Sequence, residues 1–228
     1  MKDHFTRIAI ILDRSGSMES CKESTVAGFN EFLRTQKELP GEAKVKLVQF
    51  DDQYETVFDT SLKDCPELNQ NTFVPRGSTA LLDAQGRTIV ELGEELAAPP
   101  EPERPSKVIV VTITDGLENA SKNHSLQQIS EMIREQRDKY NWDFVFLGAN
   151  QDAITTAGAM HIPRGSSLSY GTSKAGIANS MAAASRYVAA YRSGLPAAFS
   201  QADRKSAMDE DENGPSASQS ATNSGEHV

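Results

Sequence analysis

RIAIILDRSGSM, residues 7–18, runs unbroken through aliphatic residues from Ile8 to Leu12 and stops at Asp13. A strand with one wet face alternates apolar and polar residues, whereas a strand covered on both faces reads as a continuous apolar run. The stretch therefore predicts a central strand of a parallel sheet. Its carboxyl end passes into a turn that carries Asp13, Ser15 and Ser17 at alternate positions around Gly16, three small oxygen-bearing side chains.

The same pattern recurs downstream. KVIVVTIT, residues 107–114, ends at Asp115-Gly116 as sharply as the first run ends at Asp13. Between them, residues 44–50 (KVKLVQF) read as a second strand and residues 55–58 as a third. The short Asp51–Tyr54 turn separating these two suits a hairpin, so the third strand is expected to be antiparallel and at an edge. Ser20 and Glu23 have capping-box spacing ahead of a helix carrying Val26, Phe29 and Leu33, which ends before Pro40. Leu82, Ile89 and Leu96 mark a second helix, closed by Pro99-Pro100. Ser125 and Gln128 form another capping box for a helix with Ile129 and Ile133, followed by a strand over 142–147. A short strand after Pro163 and a helix lined by Ile177, Met181, Ala184, Val188 and Tyr191 complete the series, ending at Gly194.

Strands alternating with helices imply right-handed crossover units. The fold class is therefore α/β: a Rossmann-like, doubly wound, mostly parallel sheet with one antiparallel edge strand and helices on both faces. In such sheets ligands bind beyond the carboxyl ends of the strands where the strand order reverses. Asp13 and Asp115 both stand at such ends.

The chain has 228 residues, 38% hydrophobic and 24% charged, ordinary for one globular domain with its own core. Residues 1–194 are expected to form that domain. Residues 195–228 turn to Ser, Ala, Asp, Glu, Asn and Gly with almost no large apolar residue after Phe199, which predicts a disordered acidic tail. A formal charge of −9 without a basic patch argues against nucleic acid and anionic membranes as partners. Cys21 and Cys65 make no redox or zinc pattern and read as buried thiols. No run approaches the ~20 apolar residues of a membrane span, and the amino terminus lacks a signal-peptide pattern, so a cytoplasmic location is expected.

The candidate site gathers Asp13, Ser15, Ser17, Thr79 and Asp115, two carboxylates and three hydroxyls. Such hard oxygen donors suit magnesium or manganese, calcium less well, and zinc or copper poorly, since neither histidine nor thiolate is in the set. Taken singly, each residue is an ordinary turn, cap or strand-end residue; their coincidence, at the ends of two central strands and before a helix start, is what points to a metal. Asp83, one helical turn beyond Thr79, and Glu118 and Asn119, just after Asp115-Gly116, are candidates for a second shell or rim. Asp51 and Asp52 read as a solvated turn, and His4, His124, His161 and His227 as incidental.

D-x-S-x-S after an apolar strand, the threonine of G-S-T-A-L and the T-D-G after a later strand together resemble the metal-ion-dependent adhesion site of von Willebrand factor type A domains, over roughly residues 5–192. The resemblance implies that Ser15, Ser17 and Thr79 bring hydroxyls to a divalent ion while Asp13 and Asp115 ligate it directly or through water. It further implies that a carboxylate offered by a protein partner enters the remaining position. An enzyme is not expected. A phosphotransfer aspartate would have a second carboxylate where Ser15 stands, Ser17 has no G-x-S-x-G elbow, and no phosphate loop comes after the first strand. The alternatives are magnesium-assisted hydrolysis and an adaptor subunit of a chelatase-like, ATPase or phage assembly.

Overall fold

The computed structural model describes residues 1–149 and 152–210. Among these, six strands form one sheet: β1 (Lys2–Asp13), β2 (Glu42–Phe50), β3 (Tyr54–Ser61), β4 (Pro105–Thr114), β5 (Asp143–Ala149) and β6 (Ser167–Tyr170), in the order β3-β2-β1-β4-β5-β6. All neighbours are parallel except β2 and β3, which pair as the expected antiparallel edge hairpin. The chain moves outward from β1 to β2, then returns to lay β4 on the other side of β1. The order therefore reverses between β1 and β4, and their carboxyl ends flank a crevice.

The pleat of β1 divides the core. Ile8, Ile10 and Leu12 face α1 (Lys22–Glu38) and α5 (Lys174–Arg192), where Phe29, Leu33, Met181 and Val188 meet them. Ala9 and Ile11 face α2 (Leu81–Ala97) and α3 (Leu126–Tyr140), against Leu92, Ile129 and Ile133. Burial on both faces is why the strand reads as an unbroken apolar run. α4 (Ala153–Ala159), capped by Asp152, precedes β6 and is an element the periodicity did not signal. Ser125 and Gln128 form the expected capping box on α3.

Two local expectations fail. Ser20 does not cap α1: it lies inside a 3-10 turn, Gly16–Cys21, that runs directly into the helix, and its hydroxyl donates to the Ser17 carbonyl. The chain leaving Asp13 must curl at once to aim Ser15 and Ser17 back over the sheet, which leaves no extended residue at Ser20 to act as a cap. Packing also continues past Gly194. Residues 195–210 fold back onto the domain: α6 (Gln201–Ser206) has its own capping box, Phe199 lies 5.1 Å from the Tyr187 ring, and Ala207 is fully buried. Arg204 donates to the carbonyls of Arg164 and Ser167, and Gly171 N–H to that of Ala207. Two apolar anchors, Phe199 and Ala207, and a set of backbone bonds hold this segment, a device that average composition conceals. The rest of the expected tail, 211–228, lies outside the described residues. No described helix is long and apolar enough to cross a membrane.

Candidate functional site

Asp13 is the last residue of β1, fully buried, with both oxygens engaged. One accepts the Ser15 N–H at 2.7 Å and the other the Thr114 hydroxyl at 2.5 Å, from the neighbouring strand. Ser15 and Ser17 place their hydroxyl oxygens 3.1 Å apart, and Ser17 donates to Asp115 at 2.6 Å. Thr79 closes the ring: a methyl group built on Gly116 would lie 3.0 Å from its Oγ1 and 3.6 Å from that of Ser17. All five residues chosen from the sequence thus converge above the crevice between β1 and β4.

Backbone bonds hold the three loops in register. Gly16 N–H donates to Gly77 O, Arg76 N–H to Arg14 O, Arg14 N–H to Phe50 O and Ala80 N–H to Asp51 O. Gly77 has φ +67°, the left-handed region that favours glycine, so the approach to Thr79 calls for glycine there; the Asp52 oxygen that a Cβ would meet belongs to an exposed side chain that can move aside.

Asn119 clasps Thr79: its side-chain oxygen accepts the Thr79 N–H at 2.9 Å, and its own N–H donates to the Thr79 carbonyl at 3.0 Å. Glu118 accepts from the backbone of Leu82, Ala120 and Ser121, pinning the start of α2 to the loop after β4. Asp83 turns to that same loop, accepting from the N–H groups of Lys122, Asn123 and His124. These three candidates brace the loops around the five rather than adding donors to them. His124, read as incidental, has its Nδ1 3.1 Å from Asp83 and belongs to this brace.

The expected solvated turn at Asp51 is a correction. Asp51 is wholly buried, and its carboxylate accepts from Arg14 at 3.1 Å, Arg76 at 2.7 Å and the Gln53 N–H at 2.6 Å. Arg14 also reaches Glu55 at 2.5 Å. One carboxylate thereby ties the β1 loop, the β2–β3 turn and the approach to Thr79 together, and the two arginines hold it below the usual carboxylate range despite its burial. Asp52, by contrast, is exposed. Sequence reasoning also passed over Thr114, whose only signal was its place directly before Asp115, and Tyr170, whose hydroxyl donates to the Thr114 carbonyl.

Burial raises the pKa of Asp13 to about 6, against the opposing hydrogen bonds from Thr114 and Ser15; a smaller upward push comes from the charge of Asp115. Asp115 is likewise raised by burial, opposed by Ser17. Two desolvated carboxylates without a basic partner at hydrogen-bonding distance are a place where a cation is favoured. Among the described residues no group of three or more His, Cys, Asp or Glu side chains could hold a metal. The donors here are two carboxylates supplemented by hydroxyls. Adjacent ligands in an octahedral shell with bonds of about 2.1 Å stand about 3.0 Å apart, and the Ser15–Ser17 oxygen separation of 3.1 Å matches that edge. The Ser17–Asp115 pair at 2.6 Å is drawn closer by its proton and would have to open by a few tenths of an ångström. The residues fit a small, hard divalent ion.

Comparison with known proteins bears on the same region. Residues 8–118 match the family model described as the von Willebrand factor type A domain. No curated protein sequence matches. Among solved structures, the proximal thread matrix protein 1 of the mussel byssus, determined with zinc in its metal-ion-dependent adhesion motif, superposes with a TM-score of 0.55 at 16% identity. The match covers 83% of this chain and 47% of that one. A von Willebrand factor type A protein from Catenulispora acidiphila gives 0.54 at 13% identity, over 82% of this chain and 42% of that one. The present chain thus spans less than half the length of either. The corresponding domain of a type V pilus tip protein from Porphyromonas gingivalis gives 0.55 at 10% identity, over 86% and 98%. At these identities the structural matches speak for the fold alone.

Proposed function

On the premise that this chain carries a von Willebrand factor type A domain, we propose that it binds one divalent cation through Ser15, Ser17, Thr79, Asp13 and Asp115 and uses it to grip a carboxylate of a protein partner. Such domains typically mediate protein–protein interactions, which makes a binding module the natural reading. The observation that carries the metal is the convergence of three hydroxyls and two buried carboxylates, with the two serine oxygens at the spacing of an octahedral edge. Ser15, Ser17 and Thr79 would be direct ligands, Asp13 and Asp115 direct or water-mediated ones. Asn119 holds Thr79 in place, and Thr114 and the Ser15 N–H orient Asp13.

Hydroxyl ligands neutralise little of the ion's charge, so it remains attractive to an anionic oxygen entering from outside. Magnesium or manganese is the proposed metal. The zinc in the mussel protein's motif makes zinc a necessary arm of the test, although the oxygen-only donor set disfavours it. Isothermal titration of chelator-treated protein with magnesium, manganese, calcium and zinc, alongside Asp115→Ala, is the direct experiment. Heat from one saturable site, absent in Asp115→Ala, is expected; no binding by any of the four ions would overturn the proposal. Phosphatase and ATPase assays on the same samples should detect no metal-dependent turnover.

A further inference from the structure

Beside the five-residue centre, the β2–β3 turn, the first half of α2 and the loop after β4 enclose a cleft of about 760 Å³. Its size lies within the range of ligand sites, and it shares a wall with the centre: Ser78 and Ala80 flank Thr79, and Asn119 holds it. Most acids on the walls are satisfied internally. Asp51 is held by Arg14 and Arg76, Asp83 by the loop after β4, and Glu91 by Lys46, Tyr54 and Arg87. Asp52, seated against Gly77, is the remaining one.

The cations are placed differently. Arg87 is anchored at one point, its Nε donating to Glu91 at 2.8 Å, and its guanidinium lies 4.1 Å from the centroid of the Tyr54 ring. Its terminal nitrogens make no hydrogen bond among the described residues, and its side chain is 57% exposed. Stacked and tethered, this fork has already lost much of its rotamer freedom and presents two parallel donors to whatever enters the cleft. Lys122 is exposed on the same cleft and has no acidic partner among the described residues.

We propose that the cleft receives a second carboxylate from the same partner segment whose first carboxylate meets the metal, with Arg87 as its forked donor and Lys122 as a supporting charge. This rests on the metal-bridging reading above. The spacing follows from the fold: Thr79 stands two residues before α2 and Arg87 six residues past its first residue, so the backbone between them spans about 9 Å of helix at ~1.5 Å per residue plus up to about 6 Å of loop. An extended peptide covers that in about four residues at ~3.3 Å each, and an even interval keeps both side chains on one face. The preferred partner segment therefore carries acidic residues four positions apart in extended conformation.

The test uses the full chain with magnesium and two fluorescent Gly/Ser heptapeptides, one with Asp at its second and sixth positions, the other with Asn replacing the second of these. Anisotropy titration should show the two-acid peptide binding about tenfold tighter. Arg87→Met, which keeps an apolar stem over Tyr54 and whose folding is checked by thermal melting, should bring the two affinities together. Equal affinities for the parent, or a tenfold advantage surviving in Arg87→Met, overturns the second-carboxylate inference while magnesium-dependent binding of the single-acid peptide leaves the bridge intact. If neither peptide binds better in magnesium than in chelator, the bridging reading fails and this inference falls with it.

Discussion

Asp51→Ala is the substitution whose consequence can be worked furthest. Asp51 is fully enclosed and Arg14, its partner, retains 7% side-chain exposure, so truncation leaves a buried guanidinium short of its buried counter-charge. Breaking a buried pair from one side costs about 3–5 kcal/mol. The lower end applies, because Arg14 keeps the half-exposed Glu55 at 2.5 Å. The exposed Arg76 loses little by returning to water. A loss of about 3 kcal/mol in a domain of this size lowers the melting temperature by roughly 6–12 °C. Urea denaturation followed by circular dichroism measures the free energy directly, with an unchanged slope showing that both states kept their compactness. Asp51→Asn retains the acceptor for the Gln53 N–H and should lose less, while the double change Arg14→Met/Asp51→Leu should recover part of the loss, since no buried charge is then stranded. A change under about 1 kcal/mol in Asp51→Ala would refute the view that this carboxylate holds the three loops together.

Metal-free protein should become less stable as pH rises from 5 to 7.5. The folded-state value of about 6 for Asp13 lies above its ordinary 3.8, so its stabilising protonation is complete below the ordinary value and is lost as pH climbs through 6. Over that window it contributes about 1–2 kcal/mol. Asp13→Asn should flatten the curve, and parallel curves would contradict the assignment. Gly116→Ala places a methyl 3.0 Å from Thr79 Oγ1 and should weaken magnesium binding at least tenfold with a small change in melting temperature, read by calorimetry on both variants; undiminished affinity would exclude Thr79 Oγ1 as a ligand. Phe199→Ala removes a buried ring packed at a tilt against Tyr187 and should cost about 3 kcal/mol, measurable by denaturant titration. Deletion after Leu195 should cost at least as much, and a truncated chain as stable as the parent would mean that residues 196–210 add nothing to the domain.

The outline of the fold was legible because its signal is local. Ile8 to Leu12 is apolar throughout and Val108 to Ile113 nearly so, since helices cover both faces of β1 and β4, and β3 announces itself by a turn too short for a crossover. Asp13, Ser15, Ser17, Thr79 and Asp115 could likewise be chosen from their places at strand ends and in short spaced words. What the sequence could not supply was the pairing of polar groups across distant segments. Asp51 looks like any turn aspartate until the β1 loop and the approach to Thr79 bring Arg14 and Arg76 to it. Ser20 looks like a helix cap until the demand for a tight return after Asp13 draws it into a 3-10 turn. Residues 195–210 look like a solvated tail until Phe199 and Ala207 find pockets beside Tyr187 and Gly171. Apolar periodicity reports which faces are covered and so reveals strands and helices, whereas a charge or hydroxyl takes its meaning from its partner, and only the crossover topology decides which partner that is.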